Sequence, residues 1–254
     1  MNQNILVVCA GDKSVHRVAL KILRFLLTKK QDFFTVIVAD NNKDIINFLK
    51  KKKIKHVSKN IKRFLEKIKY QEYDWLLNIW GPIIYKKEIL KKFKNNLNLH
   101  PSFLPFARGK DPYYWSIYHE YPIGITIHEM DEKIDNGKIY LRKKYELKFP
   151  IKASEVFNLT LKKCRDEFIK NWSKIRNKKI RLKKLNFKNK LIHKRADLIK
   201  NNFLDLDNNK NIDLRKFVLN CLGQDFDFLK FQIKMNKKIY DCKLNLNVNV
   251  KKKW

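Results

Sequence analysis

Ile5-Leu6-Val7-Val8-Cys9-Ala10 is a short, uninterrupted run of apolar residues near the start of the chain. Such a run is typical of a strand that is buried on both faces of a parallel sheet. Further strand-like segments follow at Phe33–Ala39, Trp75–Trp80 and Asn96–His100, and stretches with helical periodicity separate them. This alternation predicts an α/β fold, in which a mostly parallel twisted sheet carries helices on both faces.

The second half of the chain predicts a smaller appendage. Of the 22 residues from Lys174 to Arg195, 11 are Lys or Arg, which is typical of a solvated linker or an extended basic strap. Further on, Phe231–Met235 and Lys238–Val248 are expected to pair as a β-hairpin. We therefore expect a large Rossmann-like domain over residues 1–180 and a small C-terminal domain with this hairpin over residues 181–254.

The charge balance is strongly positive. The 254 residues include 58 Lys and Arg against 25 Asp and Glu, a formal net charge of +33. A field of this size attracts polyanions, phosphorylated substrates and anionic membrane surfaces. Lys, Asn and Ile are abundant along the whole chain, as an AT-rich coding sequence would produce, so the charge is either functional or compositional.

The cysteines and the apolar segments indicate the cellular compartment. The four cysteines, Cys9, Cys164, Cys221 and Cys242, lie too far apart for a zinc-binding spacing, and we interpret them as buried thiols in a reducing compartment. The N-terminus lacks a secretory pattern, and no apolar stretch approaches the roughly 20 residues that span a bilayer. We expect a cytoplasmic protein that uses neither a metal nor a membrane.

Two motifs supply polar side chains at one edge of the predicted sheet. The first is Asn98-Leu99-His100-Pro101-Ser102-Phe103-Leu104-Pro105-Phe106-Ala107-Arg108-Gly109, and the second runs from His128 to Gly137. Asn98 and His100 are two residues apart on a strand, so their side chains project from the same face. Ligands bind beyond the carboxyl ends of such strands. Asp135 follows the next strand and is expected to return to this edge.

Asn98, His100 and Asp135 together provide what an acyl transfer to an amine requires. A side-chain amide N–H can donate to the oxyanion of a tetrahedral intermediate. An imidazole can move the proton of the attacking amine, and a carboxylate beside it raises the pKa of the ring and fixes its orientation. Taken singly, each residue has an ordinary alternative: a turn asparagine, a hydrogen-bonded core histidine and a turn aspartate.

The two motifs resemble the signature of the 10-formyltetrahydrofolate-dependent formyltransferases. Several unlike residues coincide with it, among them Asn98-Leu99-His100-Pro101-Ser102, Arg108-Gly109 and a histidine seven residues before Asp135. The resemblance implies that Asn98, His100 and Asp135 form a catalytic triad and that 10-formyltetrahydrofolate is the cosubstrate. It also implies that the folate is held largely by backbone around two loops, at Trp80, Gly81, Pro82, Glu129, Met130, Asp131 and Ile134.

Within the family, the chain is most similar to the enzymes that formylate amino sugars on nucleoside diphosphates. Pro112-Tyr113-Tyr114-Trp115-Ser116-Ile117 resembles their aromatic helix, and residues 193–197 and 204–207 resemble the start of their C-terminal portion. The resemblance implies a nucleoside-diphosphate deoxy-amino sugar as acceptor, with dTDP as the expected carrier, a role in making a surface polysaccharide such as the lipopolysaccharide O-antigen, and a homodimer. A departure at Gly223-Gln224-Asp225-Phe226, where relatives often place a Phe-Pro pair, leaves the C-terminal contacts open.

The pyrophosphate of such an acceptor needs cationic partners. The expected substrate contacts are Lys13, Ser102 and Arg108. For Arg108, packing of its loop on the sheet is the alternative, and for Lys13 it is the role of a solvated surface lysine.

Other acceptors remain open. Methionyl-tRNA formyltransferase is the main alternative, because tRNA phosphates would suit the positive charge, although only about 60 residues follow the basic linker. The glycinamide ribonucleotide enzyme generally lacks a basic linker, and the folate deformylase carries an additional N-terminal domain. An RNA-binding protein without catalytic activity is a further alternative, with Lys174–Arg195 as its footprint.

Overall fold

The computed structural model describes residues 2–10, 13–29, 32–148, 150–187, 191–201, 203–208, 213–224 and 231–242. The strands within these ranges are β1 Asn4–Cys9, β2 Phe33–Val38, β3 Lys55–Val57, β4 Tyr73–Ile79, β5 Phe93–His100, β6 Arg108–Gly109, β7 Gly124–His128, β8 Ile139–Lys144, β9 Ile192–His193, β10 Phe203–Asp205, β11 Phe231–Met235 and β12 Lys238–Cys242. The helices are α1 Lys13–Thr28, α2 Lys43–Lys51, α3 Ile61–Lys67, α4 Lys87–Leu90, α5 Pro112–Tyr118, α6 Ala153–Arg176, α7 Arg195–Asn201 and α8 Leu214–Gly223.

The main sheet has seven strands in the order β3-β2-β1-β4-β5-β7-β8. The first five are parallel, whereas β7 and β8 are antiparallel to their neighbours. This confirms the predicted mostly parallel α/β sheet. The strand order places the carboxyl ends of β1, β4 and β5 side by side. Because β7 pairs with β5, Asn98 lies opposite His128 and His100 lies opposite Thr126.

Helices cover both faces of the sheet. Successive residues of a strand point to opposite sides, and here the side chains on both sides are apolar. Along β1, Ile5, Val7 and Cys9 face one core with α1, α2 and α6, whereas Leu6 and Val8 face a second core with α3 and α4. All five side chains are fully buried. This explains why β1 is a continuous apolar run rather than an alternating one.

The aromatic helix α5 joins the C-terminal part of the chain to the main sheet. Tyr114 and Trp115 are buried in a third apolar cluster with Leu198 of α7 and with Leu219 and Leu222 of α8. The Tyr114 hydroxyl also donates to the side chain of Asn220, 2.6 Å away. The C-terminal helices therefore pack directly against the segment that follows the first sequence motif.

Two small sheets complete the described residues. Strands β10, β11 and β12 form one of them, and β6 pairs with β9 in the other. The pairing of β11 with β12 confirms the predicted hairpin as far as Cys242, and its expected continuation to Val248 lies outside the described residues. The division into domains at residue 180 stays a prediction.

The thiols match their predicted burial in three of four cases. Cys9, Cys164 and Cys221 are buried and free, and Cys242 is free and partly exposed. Burial raises the pKa of Cys9 to about 12, with a smaller contribution from the Asp40 carboxylate, so this thiol stays protonated. Within the ranges described above, no helix combines the length and the apolar character needed to cross a bilayer.

A buried ion pair fixes the end of the longest helix. Arg176 in the last turn of α6 donates from Nε to Asp32 Oδ2 at 2.8 Å, and its Nη2 bonds the other carboxylate oxygen. The Gln3 backbone N–H also donates to Asp32. The exposed fractions of the two charged side chains are 8% and 0%. Removal of one partner would leave an uncompensated charge in the interior.

We therefore expect Asp32→Ala to lower the free energy of unfolding by about 3–5 kcal/mol. Glu120→Ala is the control, because it removes the carboxylate of the exposed Arg215–Glu120 pair, and solvent screening should make its loss far smaller. Urea denaturation followed by tryptophan fluorescence measures both. Equal losses in the two variants would contradict the assigned role of the buried pair.

Candidate active site

Asn98 and His100 lie at the carboxyl end of β5, between β4 and β7. The parallel register places Asn78 of β4 beside Asn98, and the antiparallel register places His128 of β7 on its other side. Neighbours in register project from the same face of a sheet. Three adjacent strands thus deliver four polar side chains to one edge.

A chain of hydrogen bonds orients the Asn98 amide. The Tyr85 hydroxyl donates to Asn78 Oδ1 at 3.2 Å, and Asn78 Nδ2 donates to Asn98 Oδ1 at 2.9 Å. Asn98 Nδ2 lies 3.1 Å from His128 Nε2. The Asn98 amide therefore turns its oxygen towards β4 and its N–H groups towards the edge that carries Asp135.

The proton on His128 can be assigned from its neighbours. Nδ1 lies 2.6 Å from the Glu129 carbonyl oxygen, which can only accept a hydrogen bond. In the neutral ring the proton is therefore on Nδ1, and Nε2 accepts from Asn98. The second amide hydrogen of Asn98 faces Asp135 Oδ1 over a long 3.4 Å contact. A substrate oxyanion can accept a hydrogen bond from this N–H in place of Asp135.

Asp135 is an ionised carboxylate in a nearly closed environment. Its Oδ2 accepts from the Gly109 N–H at 2.9 Å and lies 3.6 Å from His100 Nδ1, and its Oδ1 lies 3.6 Å from His128 Nε2. Burial by itself would raise the pKa of Asp135, but the two imidazoles and the Gly109 N–H outweigh it. The pKa of this carboxyl is therefore held well below its usual range.

His100 is a buried imidazole between two oxygen acceptors. Nε2 lies 3.3 Å from the Ala107 carbonyl, and Nδ1 faces the Asp135 carboxylate. Burial lowers the pKa of His100 below its usual value, against the attraction of Asp135. The ring is therefore neutral at neutral pH. Each of its two nitrogens nevertheless faces an oxygen atom that would accept a hydrogen bond from the protonated ring. This arrangement suits a group that takes up a proton only transiently.

The geometry is compatible with acyl transfer to an amine. It offers an N–H donor for an oxyanion from Asn98, a neutral imidazole and a fixed carboxylate, all at the same edge of the sheet. Within the described ranges, no group of three or more His, Cys, Asp and Glu side chains is arranged to hold a metal ion.

The sequence model of the family described as "Formyl transferase" matches residues 7–166. The chain belongs to the formyl transferase family. The methionyl-tRNA formyltransferase of Ehrlichia ruminantium (strain Gardel) is 34% identical over 96 residues, which are 36% of this chain and 32% of that protein. The chain spans about a third of the length of the curated relatives that it matches first.

Solved structures of formyl transferases share the fold over nearly the whole chain. A 4-N formyltransferase from Francisella tularensis has a TM-score of 0.81 at 20% identity and covers 97% of this chain and 99% of its own. An N-formyltransferase from Helicobacter canadensis, in complex with folinic acid and dTDP-3-aminofucose, has a TM-score of 0.73 at 18% identity and covers 93% and 85%. At these identities the likeness establishes the fold alone.

The residues predicted to hold folate fall into two groups. Met130 and Asp131 line a cleft with a volume of about 460 Å³. Glu129 precedes Met130 in the chain but is not among the residues that line the cleft, and burial raises the pKa of its carboxyl. Ile134 is 39% exposed, and its carbonyl oxygen accepts from Arg108. The cleft lies between α4 and the loop formed by residues 129–136. It is lined by Lys87, Leu90, Lys91, Met130, Asp131, Glu132, Lys133 and Asn136.

Trp80, Gly81 and Pro82 follow β4 and do not line this cleft. Trp80 has a left-handed backbone conformation (φ 58°), and its backbone forms an isolated antiparallel β-bridge with Cys9. A Cβ at Gly81 would lie 2.5 Å from Asn78 Oδ1 and 2.6 Å from Val8 Cγ1. The absence of a side chain at Gly81 therefore leaves room for the Asn78 and Val8 side chains, and the expected contact of Gly81 with folate stays a prediction.

The three predicted substrate contacts have different surroundings. Ser102 is 1% exposed, and its hydroxyl donates to the Phe106 carbonyl at 2.9 Å, which favours a structural role. Arg108 is buried and donates from Nε (3.2 Å) and Nη2 (2.5 Å) to the Ile134 carbonyl, so that loop packing accounts for its contacts. Lys13 is exposed at the first residue of α1, and its contact with a substrate stays a prediction.

The sequence did not single out two members of the site. Asn78 is a polar residue inside the apolar run from Trp75 to Trp80, and that interruption is a signal that could have found it. The Gly109 N–H is a backbone group, and no pattern of side chains could reveal it.

The site predicts how the pKa of His100 responds to a change at Asp135. Asp135→Asn removes the carboxylate that favours the imidazolium, so the pKa of His100 should fall further below 6.5. Glu132→Gln is the control, because it removes an exposed carboxylate from the same loop and should leave the pKa of His100 unchanged. NMR titration of ¹⁵N-labelled histidines measures both. A rise in the Asp135→Asn variant would contradict the assigned contact.

Proposed function

We propose that this formyl transferase moves the formyl group of 10-formyltetrahydrofolate to the primary amine of a nucleotide-linked deoxy-amino sugar. The observation that carries the proposal is the convergence of the Asn98 amide, the His100 imidazole and the Asp135 carboxylate at one sheet edge. Asn98 Nδ2 and His100 Nδ1 lie 3.4 Å and 3.6 Å from the two oxygens of Asp135. Each group matches one demand of the reaction.

The reaction replaces one bond to the formyl carbon with another. The acceptor amine attacks this carbon, the Asn98 N–H donates to the oxygen on which negative charge develops, and the bond to folate N10 then breaks. The proton lost by the amine is the one that N10 gains. His100 relays it, and Asp135 and the Ala107 carbonyl stabilise the imidazolium in between.

The proposed folate site is the cleft between α4 and the loop 129–136. It adjoins Asp135 in sequence, and apolar Leu90 and Met130 offer a surface for a flat ring. Asn136 and the loop backbone supply polar groups beside them. The Francisella and Helicobacter formyl transferases share the fold, and the latter was solved with folinic acid, which supports a folate cosubstrate here. Roles for Trp80, Gly81 and Pro82 in this site remain part of the proposal.

The choice of a sugar acceptor is supported by the degree of the structural likeness. The Francisella 4-N formyltransferase has a TM-score of 0.81 over 97% of this chain, whereas a methionyl-tRNA formyltransferase from Clostridium thermocellum has a TM-score of 0.59 over 94% of it. The Helicobacter protein was solved with dTDP-3-aminofucose. We therefore propose a nucleoside-diphosphate amino sugar, with dTDP as the first carrier to test.

The proposal has further parts. As expected from the sequence, the reaction would take place in the cytoplasm, and its product would enter a surface polysaccharide such as the lipopolysaccharide O-antigen. We also propose residues 1–180 as the catalytic domain, residues 181–254 as a small C-terminal domain, and a homodimer.

Methionyl-tRNA formyltransferase is the second candidate. It is favoured by the identity of 34% to the Ehrlichia enzyme and by the net charge of +33, which would attract tRNA phosphates. The two candidates share the same catalytic chemistry and differ only in the amine that is formylated.

Mass spectrometry of acceptors separates the two candidates. We expect 10-formyltetrahydrofolate and a panel of nucleotide-linked amino sugars to give one product with an added formyl mass. His100→Ala should lower kcat by about 10²–10⁴-fold, and Asn98→Ala by about 10²–10³-fold, because each removes a group that acts in the transition state. His56→Ala is the matched control on the distant strand β3. Formylation of charged initiator tRNA alone would replace the sugar proposal with the second candidate.

The pH dependence of kcat/KM tests the role of His100. Only the neutral ring can accept a proton, and burial lowers the pKa of His100 below 6.5. Protonation of the acceptor amine by itself gives a slope of one in the plot of log(kcat/KM) against pH, at pH values below the pKa of that amine. Protonation of His100 should therefore add a second unit of slope only at a pH below 6.5, and His100→Ala should remove that second break. A second break above pH 6.5 would contradict a neutral His100 in the free enzyme.

A further inference from the structure

The Asp135 carboxylate is held by a segment far from it in the chain. Its Oδ2 accepts from the N–H of Gly109 at 2.9 Å. Gly109 belongs to β6, whose only partner strand among the described residues is β9, Ile192–His193. Gly109 has φ 88°, and a Cβ there would lie 3.1 Å from His193 N and still closer to His193 O. The two backbones are therefore in direct contact beside the carboxylate.

An aromatic contact holds β9 in place. The His193 imidazole stacks on the Trp115 indole of α5, with ring centroids 4.1 Å apart and an interplanar angle of 13°. His193 is 5% exposed, and its carbonyl accepts from the Lys110 N–H at 2.9 Å. β9 is thus fixed between β6 on one side and α5 on the other.

The basic linker contacts the other side of the Asp135 turn as well. Lys183 and Ile139 exchange two backbone hydrogen bonds, of 2.7 and 3.1 Å, just after this turn. The Phe187 ring lies 4.8 Å from the Arg108 guanidinium, which donates to the Ile134 carbonyl just before Asp135. We name residues 183–187 and 191–193 the strap. The strap contacts Ile139 just after Asp135, and it contacts Arg108, which holds the chain just before Asp135. It also contacts Gly109, whose N–H donates to the carboxylate.

We propose that the strap is a positioning element for Asp135, with His193 and Phe187 as its positioning residues. His193 fixes β9, β9 fixes the Gly109 N–H, and that N–H fixes the carboxylate beside His100. Phe187 covers Arg108, which fixes the loop that carries Asp135. The expected effect on the rate rests on the proposed function, whereas the effect on the geometry does not.

A merely structural role for the strap makes a different prediction. If the strap only docked the C-terminal part of the chain, its loss would lower stability and leave the contact between Asp135 and His100 intact. The pKa of His100 distinguishes the two roles, because the Asp135 carboxylate raises it. A carboxylate that is less well held moves away from the ring, and the pKa of His100 then falls.

The test compares His193→Ala and Phe187→Ala with Leu191→Ala. Leu191 lies on the same strap and is 68% exposed, so its truncation removes no buried contact. In the first two variants we expect kcat to fall about 10- to 100-fold with KM for both substrates unchanged, and the pKa of His100 to move towards its value in Asp135→Asn. His193→Phe retains a stacking ring and should restore kcat and the pKa.

Several outcomes would overturn the proposal. They are an unchanged or raised pKa of His100 in His193→Ala and Phe187→Ala, an equal effect of Leu191→Ala, or a failure of His193→Phe to restore the pKa. Thermal denaturation of each variant confirms that a folded protein is being compared. If the unaltered chain transfers no formyl group to any acceptor, the proposed function fails, while the NMR titration still decides the role of the strap.

Discussion

The charge of the Asp135 carboxylate inside a nearly closed site is the constraint on which the rest of the structure depends. A buried ion costs several kcal/mol unless hydrogen bonds and opposite charge compensate it. Here the Gly109 N–H donates to it, the Asn98 amide faces it, and the His100 and His128 rings lie beside it. These partners come from three strands that are separate in sequence. The order of the sheet and its irregular loops are therefore what makes an ionised group at this position tolerable.

The antiparallel pairing of β5 with β7 is the part of the topology that builds this environment. It places His128 directly opposite Asn98, and Thr126 opposite His100. Thr126 Oγ1 donates to the Ser102 carbonyl at 2.7 Å and accepts from the Leu104 N–H at 3.1 Å, so it holds the loop that follows β5. A register shift by one residue would turn both side chains to the opposite face of the sheet. The same pairing thus fixes both the hydrogen bonds of Asn98 and the start of the first motif's loop.

Local patterns predicted the features that depend on local sequence. The apolar run at Ile5 identified a central strand, and the two-residue spacing of Asn98 and His100 placed both on one face, because strand periodicity is a property of neighbours in the chain. The return of Asp135 to this edge was expected, but the rule for the carboxyl ends of parallel strands does not explain it, because Asp135 follows β7, which is antiparallel to β5. The loop after β7 is what brings Asp135 to His100.

Other features could not be predicted, because they arise from contacts between distant segments. β6 and β9 have two residues each, too few to show a periodicity, and their pairing joins the first motif to the basic linker. The hydrogen bond from the Ser102 hydroxyl to the Phe106 carbonyl likewise depends on the shape of the loop, and the expected contact of Ser102 with a substrate stays a prediction. The linker was expected to be a solvated segment or an extended basic strap, and its charge pattern did not reveal that Phe187 and His193 within it make buried or stacked contacts.

The direction of the hydrogen bonds around Asn98 determines what the site can stabilise. Asn78 Nδ2 also donates to the Gly81 carbonyl, and His128 donates to the Glu129 carbonyl, so two backbone oxygens fix the two ends of the chain of donors. Burial raises the pKa of the Tyr85 phenol, which keeps it protonated and able to donate to Asn78. If the chain ran in the opposite direction, Asn98 would present its oxygen to the site and repel a developing oxyanion. Asn78 of β4, oriented by Tyr85, thus selects the amide orientation that favours acyl transfer.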